Sequence, residues 1–124
     1  MRTAALILTL LSAIEHVYFF ALESLLWRKP LGLKTFNQDA AKAELTAPLA
    51  FNQGFYNLFL AAGLGWGALA PAPFHIPVSA FFLGCVLVAA VVGGASVNKR
   101  IMFVQGLPAL LAAIALALGY AIVP

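Results

Sequence analysis

This sequence predicts an all-α fold: a membrane-spanning four-helix bundle in a single domain, 1–124, with both termini on the outer side. Three observations predict it. Hydrophobic residues make up 64% of the chain, charged residues only 9%, and the mean hydropathy is +1.01. A soluble domain carries about 25% charged residues to cover its surface, so lipid is the expected solvent for most of this exterior. Four apolar runs then follow one another, each near the roughly 20 residues that cross a hydrocarbon core as a helix. Finally, six of the 7 Lys and Arg residues fall into two short loops.

The first run covers about 3–27, the second 48–69, the third 78–97 and the fourth 101–123. None alternates apolar with polar, which argues for helices over a closed barrel. Pro30 and Gly32 follow the first run, and Thr46 with Pro48 suit the cap and first turn of the second. Pro71, Pro73 and Pro77 break the chain before the third, with His75 in that loop. Asn98-Lys99-Arg100 makes a tight turn that sets the last two helices antiparallel. The stretch from Asn37 to Leu45 reads either as a short surface helix or as a solvated connector. Arg2 and the apolar run behind it resemble a signal peptide, but the run is too long and lacks a cleavage site, so it is read as retained.

Orientation follows from the basic residues. Arg28, Lys29, Lys34 and Lys42 lie in the first loop, Lys99 and Arg100 in the third, and none in the second. Loops one and three are therefore expected in the cytoplasm, in a multi-pass protein of the bacterial inner membrane. This clustering also explains the net charge of +3 without nucleic acid. Trp27, Trp66 and Tyr120 fall near span ends, as an aromatic belt does. The lone Cys85 sits in an apolar run and reads as a packed small hydrophobe.

Chemistry is expected where polar residues enter the spans, because such residues are costly in lipid. The first span holds Ser12, Glu15, His16 and Glu23. At about 100° per residue, Ser12, His16 and Glu23 fall within about 40° of one another, with Glu15 to one side. Glu15 and His16 point apart, so each is expected to find its partner on another helix. The second span opens with Asn52, Gln53, Tyr56 and Asn57, three amides and a phenol that need hydrogen-bond partners, such as carboxylates or imidazole on another helix, and lie closest in depth to Glu23. The fourth adds Gln105, just before a Pro108 that takes the donor from Val104 and is expected to kink the helix. The third looks structural, with Ala80/Gly84 and Ala90/Gly94/Asn98 as small-residue contact stripes.

No HExxH, GxSxG, phosphate-loop or CxxC motif is present, so no metal or cofactor is expected within one chain; a site shared between protomers through His16 and Glu15 is the remaining arrangement. Three readings of the polar residues compete. In the first, Glu15 exchanges a proton for a small lipophilic or cationic ligand, with His16, Asn57 and Gln105 lining the cavity, and a homodimer encloses the path. In the second, Glu15 and His16 are the acid and base of a membrane-embedded isomerase or hydrolase. In the third, the same residues pair with the helices of a partner in an assembly or scaffold.

The strings Glu15-His16-Val17-Tyr18-Phe19 with Leu22-Glu23, Asn52-Gln53-Gly54-Phe55-Tyr56-Asn57 running on to Leu64, and Val104-Gln105-Gly106-Leu107-Pro108-Ala109 resemble a family of small bacterial integral membrane proteins catalogued as domain of unknown function 1304. The resemblance implies four spans and no particular activity. Small multidrug resistance transporters share the length, the four spans and a glutamate in the first, a likeness carried by size and Glu15.

Overall fold

The computed structural model describes residues 1–121, which are helical apart from short connections and contain no strand. Helix α1 runs Arg2–Phe20 and passes directly into a π-helical turn, Ala21–Leu25. Helix α2 is Pro30–Thr35, α3 Ala40–Leu69, α4 His75–Ser96 and α5 Lys99–Ala121. The all-α class is as expected; the end of the fourth predicted span, 122–123, lies outside the described residues. Arg2–Leu25, α4 and α5 are each long and apolar enough to cross a membrane. Helix α3 covers the second predicted span, but Asn52, Gln53 and Asn57 dilute its apolar content and it is not one of the three.

Several boundaries differ from the expected ones, each for a local reason. Helix α3 starts well before Thr46 and Pro48 because Asp39 caps it. The Asp39 carboxylate accepts the Lys42 backbone N–H at 2.7 Å, taking one of the first-turn donors that lack a partner within the helix. Pro48 therefore lies inside α3, not in its first turn. The Asn37–Leu45 stretch is neither a separate helix nor a connector but the end of one turn and the start of α3. Pro30 opens α2, and the chain leaves α2 through Phe36 and Asn37, whose φ of 47° is left-handed. There Gln38 donates to Leu33 O and Asn37 to Lys34 O, closing the helix end. His75 is the first residue of α4 instead of a loop residue, and α5 continues through Pro108. The turn at Asn98 is as expected, with its side chain accepting the Arg100 N–H at 2.8 Å.

The chain forms two compact units, Met1–Glu15 with Leu60–Pro124, and His16–Phe59. In the first, Ala5 and Ala13 of α1, Leu64 of α3, Leu83 and Val86 of α4, and Ala109, Ala112, Ala115 and Leu116 of α5 share one buried core. Four helical segments thus feed it, and small residues let their backbones approach. The Phe82 ring lies over Gly63, Gly94 meets Met102, and Ala90 sits where a side chain on Gly106 would be 3.1 Å away. Gly67 faces Ser79 so closely that a Cβ would stand 2.7 Å from the Ser79 backbone nitrogen. Gly84 departs from the expected stripe. Nothing stands within 4 Å of its Cβ position, because Ala80 and Gly84 line an open apolar groove with Ala113 and Leu116.

The second unit packs the end of the first helix, α2 and the start of α3. Gly32 lies against the carbonyls of Leu26 and Trp27, too close for any side chain, which folds α2 back onto the turn before it.

Candidate functional site

A ladder of contacts in the second unit sets the register between the first helix and α3. The Phe20 and Phe55 rings meet edge to face at 5.3 Å. Ser24 Oγ donates to the Phe51 carbonyl at 3.0 Å, made possible by Gly54, where a Cβ would collide with that hydroxyl. Trp27 Nε1 donates to Thr46 Oγ1 at 3.1 Å, and Arg28 spans both Glu44 oxygens at 3.0 Å. Numbers rise on one helix as they fall on the other, so the pair is antiparallel. The ladder also grades from exposed charge at Arg28 and Glu44, through an indole, to phenylalanine rings. That is the order of groups met on passing from water into a bilayer.

Glu23 lies in the π-helical turn, where Leu26 N–H bonds to Ala21 O at 2.9 Å, one residue wider than an α-turn. Such turns are rare and recur at functional positions. The wider turn also advances less per residue than the α-helix, which displaces Glu23 from the face expected from 100° spacing. Its Oε2 accepts the Asn57 side-chain amide at 2.6 Å, and Asn57 is buried. Glu23 and Asn57, two of the sequence-predicted site residues, are thus brought together.

The other three polar residues of that stretch are not. Asn52, Gln53 and Tyr56 are all exposed on the chain, and Tyr56 contacts Phe59 edge to face. At about 1.5 Å rise per residue, the two amides stand roughly 9 Å further along α3 than Thr46.

The upper part of α1 carries a buried polar stripe. Thr9 and Ser12 are both essentially inaccessible, as is His16, whose ring meets Phe19 edge to face at 5.4 Å. Glu15 is half-buried, but its Oε2 is shut off from solvent and has no hydrogen-bond partner among the described residues. In the first unit Gln105 is buried beside Gly93, and Ser79 is buried against Gly67. Thr9, Ser79 and Ser24 were not singled out from the sequence. Thr9 continues the Ser12–His16 spacing one turn earlier and was legible; Ser79 and Ser24 are ordinary serines whose roles depend on facing glycines.

Chemically, the first unit offers the Glu15 carboxyl group, with an inner oxygen unbonded among the described residues, and the second offers the Glu23 carboxyl group, tied to an amide. Among the described residues no three His, Cys, Asp or Glu side chains come together.

No curated protein and no solved structure matches the chain. Residues 10–117, which include all three polar motifs, match the family model described as Protein of unknown function (DUF1304), and the chain belongs to that family.

Proposed function

We propose that this chain is an integral membrane protein that binds a small lipophilic or cationic molecule and moves it in exchange for a proton. The observation that carries this reading is Glu15, a carboxyl group within a membrane-capable helix whose Oε2 is enclosed and unbonded among the described residues. An enclosed carboxylate is costly unless it holds a proton or faces a cation. Alternation between those two partners is the elementary step of exchange: one proton leaves Glu15 as one positive charge arrives. Glu23, fixed by Asn57 at the π-helical turn, supplies a second carboxyl group toward the charged end of the helix.

The reading includes a topology and an assembly. Both termini face outward and the Arg28–Lys42 and Lys99–Arg100 loops face the cytoplasm of a bacterial inner membrane, which is what the distribution of basic residues favours. Two copies pair, supported by the exposed amides of Asn52 and Gln53.

Uptake of fluorescent lipophilic cations into proteoliposomes, with and without a proton gradient, tests it. Gradient-driven uptake that is lost in Glu15→Gln is the expected result. Uptake indifferent to the gradient across a broad panel, or full activity in Glu15→Gln, overturns it.

A further inference from the structure

The first unit contains a groove that is lined by neither Glu15 nor Gln105. It opens where the start of α1, the end of α3, the start of α4 and the end of α5 come together, with a volume of about 400 Å³, and Arg2, Thr3, His75 and Tyr120 are its polar lining. Its lining residue nearest Glu15 along α1 is Leu6, about two and a half turns away.

Arg2 is not a loose surface side chain. Its Nε donates to the Gly119 carbonyl at 3.2 Å, and its guanidinium lies over the Tyr120 ring at 4.9 Å. Gly119 allows this approach, since a Cβ there would stand 3.2 Å from the Arg2 backbone nitrogen. The hydrogen bond and the ring fix the plane of the guanidinium and leave both Nη groups without a bond among the described residues. His75 packs against the same Tyr120 ring at 5.0 Å, and its Nε2 is enclosed with no hydrogen-bond partner among the described residues. Tyr120 thus orients a guanidinium and an imidazole from two helices. His75 also opens the 22-residue helix α4, whose dipole favours negative charge at this end; Pro77 has no N–H and the Val78 N–H bonds to Phe74 O, which leaves His75 and Ile76 as the first-turn donors. Among the described residues no carboxylate lines the groove.

We propose that this groove binds a phosphate group. A planar guanidinium held at fixed orientation matches the paired oxygens of a phosphate better than a mobile ammonium does, and the enclosed His75 nitrogen, without a partner among the described residues, gains one when the ring turns toward the bound phosphate. The phosphate belongs either to a lipid headgroup or to a soluble molecule. Tyrosine at the end of a membrane helix marks headgroup depth, which makes both accessible.

The full-length protein, delipidated in a zwitterionic detergent, distinguishes the sources. Its thermal midpoint is followed as inorganic phosphate is titrated at constant ionic strength, and separately as phosphatidylglycerol or phosphatidylcholine is added in mixed micelles. A response to inorganic phosphate identifies a soluble anion site; a response to the phospholipids alone identifies a headgroup site. In either case Arg2→Gln weakens binding by about tenfold or more. His75→Phe, which keeps a ring against Tyr120 and removes only the nitrogens, weakens binding while the unliganded midpoint stays near wild type. Arg100→Gln, at the far end of α5, leaves it unchanged. No response to any of the three probes overturns the proposal, as does a loss in Arg100→Gln equal to that in Arg2→Gln.

Discussion

The Asn57 side-chain amide donates to Glu23 Oε2 at 2.6 Å, joining α3 to the π-helical turn that ends the first long helix. Each residue accounts for a feature of the other. A carboxylate inside an apolar helix needs a donor, and a buried amide needs an acceptor. Ser24, next in the turn, bonds to Phe51 across Gly54, so the turn is anchored to α3 on two successive residues. The π-helical geometry and the glycine together place both anchors.

Removing the donor leaves the Glu23 carboxylate without its partner, so Asn57→Leu lowers stability by about 2 kcal/mol or more. Asn57→Asp is also destabilising, because two carboxylates then face one another. Combining Asn57→Asp with Glu23→Gln reverses donor and acceptor and restores most of the loss. Chemical or thermal unfolding in detergent measures all four proteins. A double variant no more stable than Asn57→Asp would show that the pair does not form.

The glycines of the two units are predicted to differ in what they tolerate. Gly67→Ala brings a methyl group to 2.7 Å from the Ser79 backbone, which cannot rotate aside, so it costs about 1–3 kcal/mol. Gly54→Ala meets the Ser24 hydroxyl instead, and Ser24→Ala in the same chain recovers part of the cost. Gly84→Ala meets nothing within 4 Å and gains up to about 1 kcal/mol from helix propensity alone. Unfolding midpoints of the three single variants give the order directly, with Gly84→Ala highest and Gly67→Ala below wild type.

Arg28 and Glu44 form an ion pair in which one guanidinium nitrogen, Nη1, meets both carboxylate oxygens, yet both side chains are more than half exposed. Water and salt screen such pairs, so Glu44→Gln changes stability by less than about 1 kcal/mol. The same variant in high salt is indistinguishable from wild type. A larger loss in unfolding experiments would mean that this end of the ladder is shielded from solvent.

The sequence made the helical class legible, and with it the polar faces, because both follow from composition and from spacing along a helix. It misplaced what depends on competition between local signals. Pro48 and Thr46 offered one start for α3, but Asp39 supplied a better cap and won. The π-helical turn left no mark in ALESL that periodicity detects, since a single wider turn shifts the phase without changing residue types. Depth along the spans put the amides level with Glu23, but the choice of Asn57 among them required the register of two helices, which contacts such as Ser24 with Gly54 establish. The Ala80/Gly84 spacing was sound as a small-residue pattern, but small residues line an open groove as readily as a tight contact.

Asn52 and Gln53 are exposed on α3 and flanked on the same side by Leu49 and Tyr56, also exposed. Two amides facing hydrocarbon carry a cost of the order of 1–3 kcal/mol each unless a partner bonds to them. In the proposed dimer a second copy offers that partner, because a carboxamide is both donor and acceptor and two identical faces related by a twofold axis complement one another. The dimer proposed above therefore uses this face. Gln53→Cys, in a chain carrying Cys85→Ala, forms a disulfide-linked dimer in membranes under mild oxidation. Val91→Cys, on an exposed face of α4, does not. Adding Asn52→Leu to the Gln53→Cys chain removes one amide and lowers the yield. Equal cross-linking at both positions would show random collision, and none at Gln53→Cys would remove this face from the dimer.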